Sequence, residues 1–158
     1  MRARCEKMTE KMLTKAQLHN DLTYAARKLG EGWSVLAVSK GTVLGMKQGR
    51  RLEPALALLH ELRGPALEGD KIACVFADKV LGLAAFRLAS LLGAEAVYGE
   101  VVSCLAVREA RRRGIPVVWH RLVPAIMNMR QDGLCPMEHL AFRSDSDYEF
   151  YQALKRQH

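Results

Sequence analysis

The stretch Lys71-Ile72-Ala73-Cys74-Val75-Phe76-Ala77-Asp78-Lys79-Val80-Leu81-Gly82 decides the fold. After Lys71 its first half is a continuous apolar run, preceded by the turn signal Gly69-Asp70, as expected of a central strand buried on both faces. Asp78 then stands where a helix cap belongs, so a crossover helix is predicted over 79–92, ending at Gly93. Ala96-Val97-Tyr98-Gly99-Glu100-Val101-Val102 reads as the next strand, 105–113 as a helix stopped by Gly114, and 115–123 as the last strand. Two successive strand–helix–strand units require parallel pairing. A parallel sheet collects the loops after its strands along one edge, where open α/β sheets bind their ligands.

Upstream, Thr14-x-x-Gln17 is a capping-box pattern, and Leu18, Leu22, Ala25, Ala26 and Leu29 follow at helical spacing up to Gly30. The runs 33–38 and 42–46 flank Ser39-Lys40-Gly41, a connection that suits an antiparallel hairpin. After Gly49-Arg50-Arg51, Leu56, Leu59 and Leu62 mark a helix over 53–62, with Pro54 in its first turn and Gly64-Pro65 closing it. Downstream of Pro124 lies an irregular stretch containing Gly133-Leu134-Cys135-Pro136-Met137-Glu138. Ser146-x-x-Glu149 then caps a terminal helix bearing Phe150, Tyr151 and Leu154.

At 158 residues and 49% hydrophobic content the chain suits one domain, 1–158, with a core at about 14–140 and a C-terminal helix at about 147–157. Its first dozen residues mix charges with no apolar core, which argues against a secretory signal. The longest apolar stretch, 80–97, is interrupted by Arg87 and Glu95 and does not read as a membrane span. No membrane partner is expected, and the default location is the cytoplasm. Cys5, Cys74, Cys104 and Cys135 form no C-x-x-C pair and are expected as reduced thiols. The net charge of +7 favours anionic partners, small phosphorylated molecules or nucleic acid.

The order helix, β-hairpin, helix, βαβαβ over about 14–140 resembles the cytidine-deaminase-like fold, a three-layer α/β/α arrangement around a mixed sheet. Val75-Phe76-Ala77-Asp78-Lys79-Val80, Leu122-Val123-Pro124 and Gly133-Leu134-Cys135-Pro136-Met137-Glu138 resemble a small family of uncharacterised prokaryotic proteins placed in that fold. A zinc deaminase needs a His or Cys at the start of its second helix, a Glu two residues on, and Pro-Cys-x-x-Cys at the next helix start. Arg51-Leu52-Glu53 and Asp78-Lys79-Val80-Leu81 stand at those places, so none of the three zinc ligands is present. Glu53 falls where the proton shuttle would lie, without a metal-bound water to serve. The resemblance therefore implies the scaffold and pocket position without the zinc, and it allows a homodimer.

Right-handed crossovers, with the strand at Thr42 entering its own crossover the same way, bring Arg50, Arg51, Glu53, Asp78, Lys79, Ser103, Cys104 and the Pro124 segment to one edge. Asp78 capping a helix at Lys79, with Gly82 open to close approach and Lys79 and Arg51 adding charge, forms a candidate anion site on free helix N–H groups. The same residues also read as a plain cap, a solvated lysine and a packing glycine. For Ser103-Cys104 the leading reading is a capping serine and a cysteine packed as a small apolar group, the rival a thiolate at a helix N-terminus. Cys135-Pro136-Met137-Glu138 reads either as a lid over the edge, with Glu138 offering a carboxylate, or as a helix start sealing the core. His60 and His120 read as surface or satisfied residues, and Arg108, Arg111 and Arg112 as a solvated helix face. No metal site and no cofactor is predicted.

The expected function is a zinc-free binding module for a small anionic or nucleotide-like ligand, contacted by Arg51, Glu53, Asp78, Lys79, Gly82, Ser103, Cys104, Cys135 and Glu138. Two alternatives stand beside it. One is a metal-independent enzyme in the same pocket, with Glu138 or Asp78 as acid–base and Cys104 or Cys135 as nucleophile. The other is a nucleic-acid-associated protein that uses its basic helix end.

Overall fold

The computed structural model describes residues 12–157, so Cys5 and the charged opening residues lie outside it. Among the described residues six helices surround a five-stranded sheet of order β2-β1-β3-β4-β5. In chain order these are α1 (Lys15–Leu29), β1 (Val35–Ser39), β2 (Thr42–Lys47), α2 (Glu53–Arg63), β3 (Cys74–Leu81), α3 (Leu83–Leu92), β4 (Ala94–Ser103), α4 (Cys104–Arg112), β5 (Val117–Val123), α5 (Pro136–Arg143) and α6 (Asp147–Gln157). β1 is antiparallel to both β2 and β3, whereas β3, β4 and β5 are mutually parallel, so β2 points the same way as those three. The α/β class and the mixed, open sheet read from the sequence are those observed.

The β1–β2 turn occupies Lys40 and Gly41, both with positive φ (52° and 79°), the conformation whose twist matches a two-residue hairpin. Asp21 of α1, buried beneath it, accepts the N–H groups of Lys40 and Gly41 at 2.8 Å each. The capping box at Thr14 and Gln17 forms as its pattern predicts. Strand alternation divides the core in two: Leu36, Val38, Val75, Ala77 and Ala96 pack under α1, while Val35, Ala37, Cys74, Phe76 and Val97 pack under α2, α3 and α4.

Several boundaries differ from the sequence reading, and those of β3, α3 and β4 bear on the site. β3 starts later and runs on through Asp78 and Lys79 to Leu81, so the helix expected at Lys79 begins at Leu83. The reason lies in the neighbouring strands: Asp78 pairs with Val35 and Gly99, Val80 with Val101, and the Lys79 N–H donates to the Ser34 carbonyl at 3.0 Å. Asp78 is therefore a strand residue and caps no helix. The sheet ladder claims the backbone first, and Gly82 is the N-cap of α3. β4 begins at once after Gly93, whose φ of 120° and close approach to the Ile72 backbone suit only glycine.

Every residue of α3 is buried, because this helix lies between the sheet and the pair α5–α6. Arg87 is the charged exception within it, and each of its three guanidinium nitrogens has a partner, the Ala141 carbonyl (3.0 Å), the Ser144 carbonyl (2.8 Å) and Asp147 Oδ1 (2.9 Å). Arg113 reaches the same Asp147 and Ser90 Oγ and also binds Glu109. Arg108, Arg111 and Arg112 are exposed, as expected, but the neighbouring Arg113 is a structural tie. His60 meets the Tyr151 hydroxyl at 2.8 Å, a satisfied residue. Among the described residues no helix is long and apolar enough to cross a membrane.

Candidate functional site

Because β2, β3 and β5 run the same way, the chain segments that follow them meet at one end of the sheet and line a half-open cavity of about 620 Å³. Arg51 and Leu52 come from the link after β2, and Asp78, Lys79, Val80 and Gly82 from the end of β3 and the start of α3. Residues 126–130 and 135–138, which follow β5, form the remaining wall. That wall is tied to itself by the Met127–Leu134 bridge and by Cys135 N–H on the Ile126 carbonyl at 3.0 Å. It meets the opposite rim where Arg51 Nη2 donates to Met129 Sδ at 2.8 Å. Arg51 itself sits at φ 57°, a left-handed conformation uncommon for a side-chain-bearing residue.

The N-terminus of α3 is occupied. Both oxygens of Glu138 accept backbone N–H groups there, Oε2 from Leu83 and Oε1 from Ala84, each at 2.8 Å. A carboxylate at a helix start satisfies orphan donors and meets the positive end of the helix dipole. Glu138 is 3% exposed, and burial pushes its pKa up while the two N–H bonds pull it back. A Cβ on Gly82 would stand 2.5 Å from this carboxylate, so the glycine makes room for a side chain of the same protein. The anion site expected on free helix N–H groups is thus filled internally. Pro136 starts α5 with Cys135 as its N-cap, and this first turn is also a wall of the cavity.

Asp78 follows Cys74 and Phe76 on the α3 side of the sheet and lines the cavity with 7% of its surface exposed. Its Oδ1 accepts the Val80 N–H at 3.2 Å. Burial pushes its pKa well above the ordinary carboxylate value, against the pull of the Val80 and Lys79 backbone N–H groups. Around this acid the lining is largely apolar: Leu52, Val80, Ile126, Met127, Met129 and Met137. Three cations, Arg51, Lys79 and Arg130, complete it.

Of the residues singled out in the sequence, Arg51, Asp78, Lys79, Gly82, Cys135 and Glu138 line this one cavity. Glu53, exposed at the first position of α2, does not. Ser103 and Cys104 do not either, because β4 passes into α4 without a loop. Ser103 is a buried N-cap whose Oγ accepts the Ala106 N–H at 3.2 Å. Cys104 is exposed, which corrects the expectation that it packs as an apolar group: it begins α4 on the side turned away from the sheet. Cys135 is half-buried, and Cys74, buried beside Glu95 and Asp21, has its thiol pushed up to about 12, chiefly by burial. Met127, Met129 and Arg130 are lining residues that the sequence reading does not name; the closeness of the first two to Met137 in an irregular stretch is the available signal. Among the described residues no group of three or more His, Cys, Asp or Glu is placed to hold a metal ion.

A family model described as TM1506, domain of unknown function (DUF1893), matches residues 25–157. Among solved structures, a DUF1893 family protein (TM1506) from Thermotoga maritima superposes with a TM-score of 0.72 at 18% identity, covering 92% of each chain. At that identity the likeness speaks for the fold alone. No curated protein matches the chain.

Proposed function

Since this chain belongs to the DUF1893 family, a domain of unknown function, we propose its role from the cavity itself: it binds a small nucleotide-like ligand at the strand-end edge. The observation that carries this reading is the combination in one cavity of a mainly apolar slot, a buried acid on its wall and the cations Arg51, Lys79 and Arg130. A planar ring suits the slot, where Leu52, Val80 and the methionines adapt to its faces, and an anionic group suits the cations. The strand order β2-β1-β3-β4-β5 with an antiparallel β1 supports a cytidine-deaminase-like scaffold, whose pocket would lie at this edge. The starts of α2 and α3, Arg51-Leu52-Glu53 and Gly82-Leu83-Ala84, carry no His or Cys, which supports a site that works without that metal. The rival reading as an acid–base enzyme gains nothing from Glu138, whose two oxygens are both engaged in capping α3.

Thermal-shift and calorimetric titration against nucleosides and nucleoside mono- and diphosphates test this. Binding is expected for phosphorylated members of the panel, adding about 2.7 kcal/mol of stability at a concentration a hundredfold above Kd. Arg51→Ala and Lys79→Ala should each weaken it. Silence of the whole panel at millimolar concentration would remove the reading.

A further inference from the structure

We propose that Asp78 reads the ligand's ring as a carboxylic acid, and that the ligand is a heterocycle presenting a hydrogen-bond acceptor beside a donor on one edge. This rests on the nucleotide-like reading above and adds which ring edge is recognised and by what. The geometry comes first. Asp78 stands at the end of a central strand with its backbone fixed on both sides, by Val35 and Gly99. One oxygen is anchored to the Val80 N–H, and the residue's small exposed remainder belongs to the cavity. Among the described residues this carboxyl makes no ion pair, in contrast with Asp147, which is held by Arg87 and Arg113.

A protonated carboxyl offers one O–H donor and a carbonyl acceptor, so it matches an edge of opposite pattern, such as N1 and the amino group of adenine or N3 and the amino group of cytosine. An ionised carboxylate only accepts, and would repel the ring nitrogen it is asked to meet. Burial raises the pKa of Asp78, which favours the acid form. The other titratable or charged groups lining the cavity are Arg51, Lys79, Arg130, Cys135 and Glu138. Glu138 is committed to α3, and the three cations serve the ligand's anionic end in the reading above. Asp78 is therefore the cavity's carboxyl left to meet a ring.

The test measures Kd for each nucleotide of the panel that binds, beside its counterpart methylated on the ring nitrogen of that edge, across pH, for the wild type, D78N and D78A. Methylation should weaken wild-type binding roughly ten- to a hundredfold, the scale of one paired base edge. D78A should bind the two counterparts alike. D78N, whose amide keeps a donor beside an acceptor, should retain the preference. Affinity of the wild type should fall as pH rises through the Asp78 pKa, because the donor is lost, and that of D78N should stay level. Nucleotides that bind the wild type with no penalty for methylation, or with the same pH dependence in D78N, overturn this inference and leave the binding reading intact. A panel that never binds overturns both.

Discussion

Gly82 and Glu138 illustrate how a single residue's meaning depends on a partner far along the chain. The sequence marks Gly82 as a place where something comes close, and the structure identifies it as the Glu138 carboxylate, 2.5 Å from where a Cβ would stand. Spacing within the motif 133–138 contains no trace of this pairing, since the donors it serves lie on α3, 55 and 54 positions away. The consequence is measurable. Gly82→Ala forces Glu138 off the Leu83 and Ala84 N–H groups, and overpacking of this kind costs about 1–3 kcal/mol. Urea denaturation should register that loss together with faster amide exchange at Leu83 and Ala84. Unchanged stability and exchange would mean that the carboxylate does not cap α3.

At the scale of elements, the sequence and the structure part most at β3, where Asp78-Lys79 has the local form of a helix start because an acid before a basic, apolar run is a good capping signal. Local propensity lost to the ladder: a central strand with partners on both sides keeps its backbone extended until Gly82 releases it. The hairpin, the first two helices and the terminal helix were legible because each carries its own turn or cap chemistry. The tie between α3 and α6 was not, since Arg87 looked only like an interruption in an apolar stretch. Asp147 is pushed up by burial, but hydrogen bonds and charge from Arg113, Ser90 and Arg87 outweigh this and hold it below its ordinary value. Glu109, through Arg112 and Arg113, is held at about 2. Both groups bind fewer protons folded than unfolded in mildly acidic solution, so their stabilisation is present above the ordinary carboxylate range and is lost as pH falls through the lowered values. Asp147→Asn should cost about 3 kcal/mol at neutral pH, the scale of a broken buried ion pair. Its stability should also decline less on acidification than the wild type's. A variant matching the wild type in both respects would show that α6 is held by its apolar face, Phe150, Tyr151 and Leu154, alone.

Across the whole molecule, the convergence of segments from residues 51, 78–82 and 126–138 follows from strand direction and crossover hand, and both could be inferred before any side chain was placed. What strand direction cannot supply is the length of each link: β4 has none, so Ser103 and Cys104 leave the edge, whereas the long segment after β5 folds back and becomes a wall. On the proposed function, this edge binds a nucleotide-like ligand. The most direct measurement is a backbone amide NMR titration of the full chain with the nucleotide that shifts its melting temperature most. Perturbed amides should gather at 51–52, 78–85 and 126–138. Perturbations gathered instead in the polar groove between α1 and the β1–β2 turn, around Asn20, Arg27 and Lys40, or scattered over the exposed arginines of α4, would contradict the proposed function.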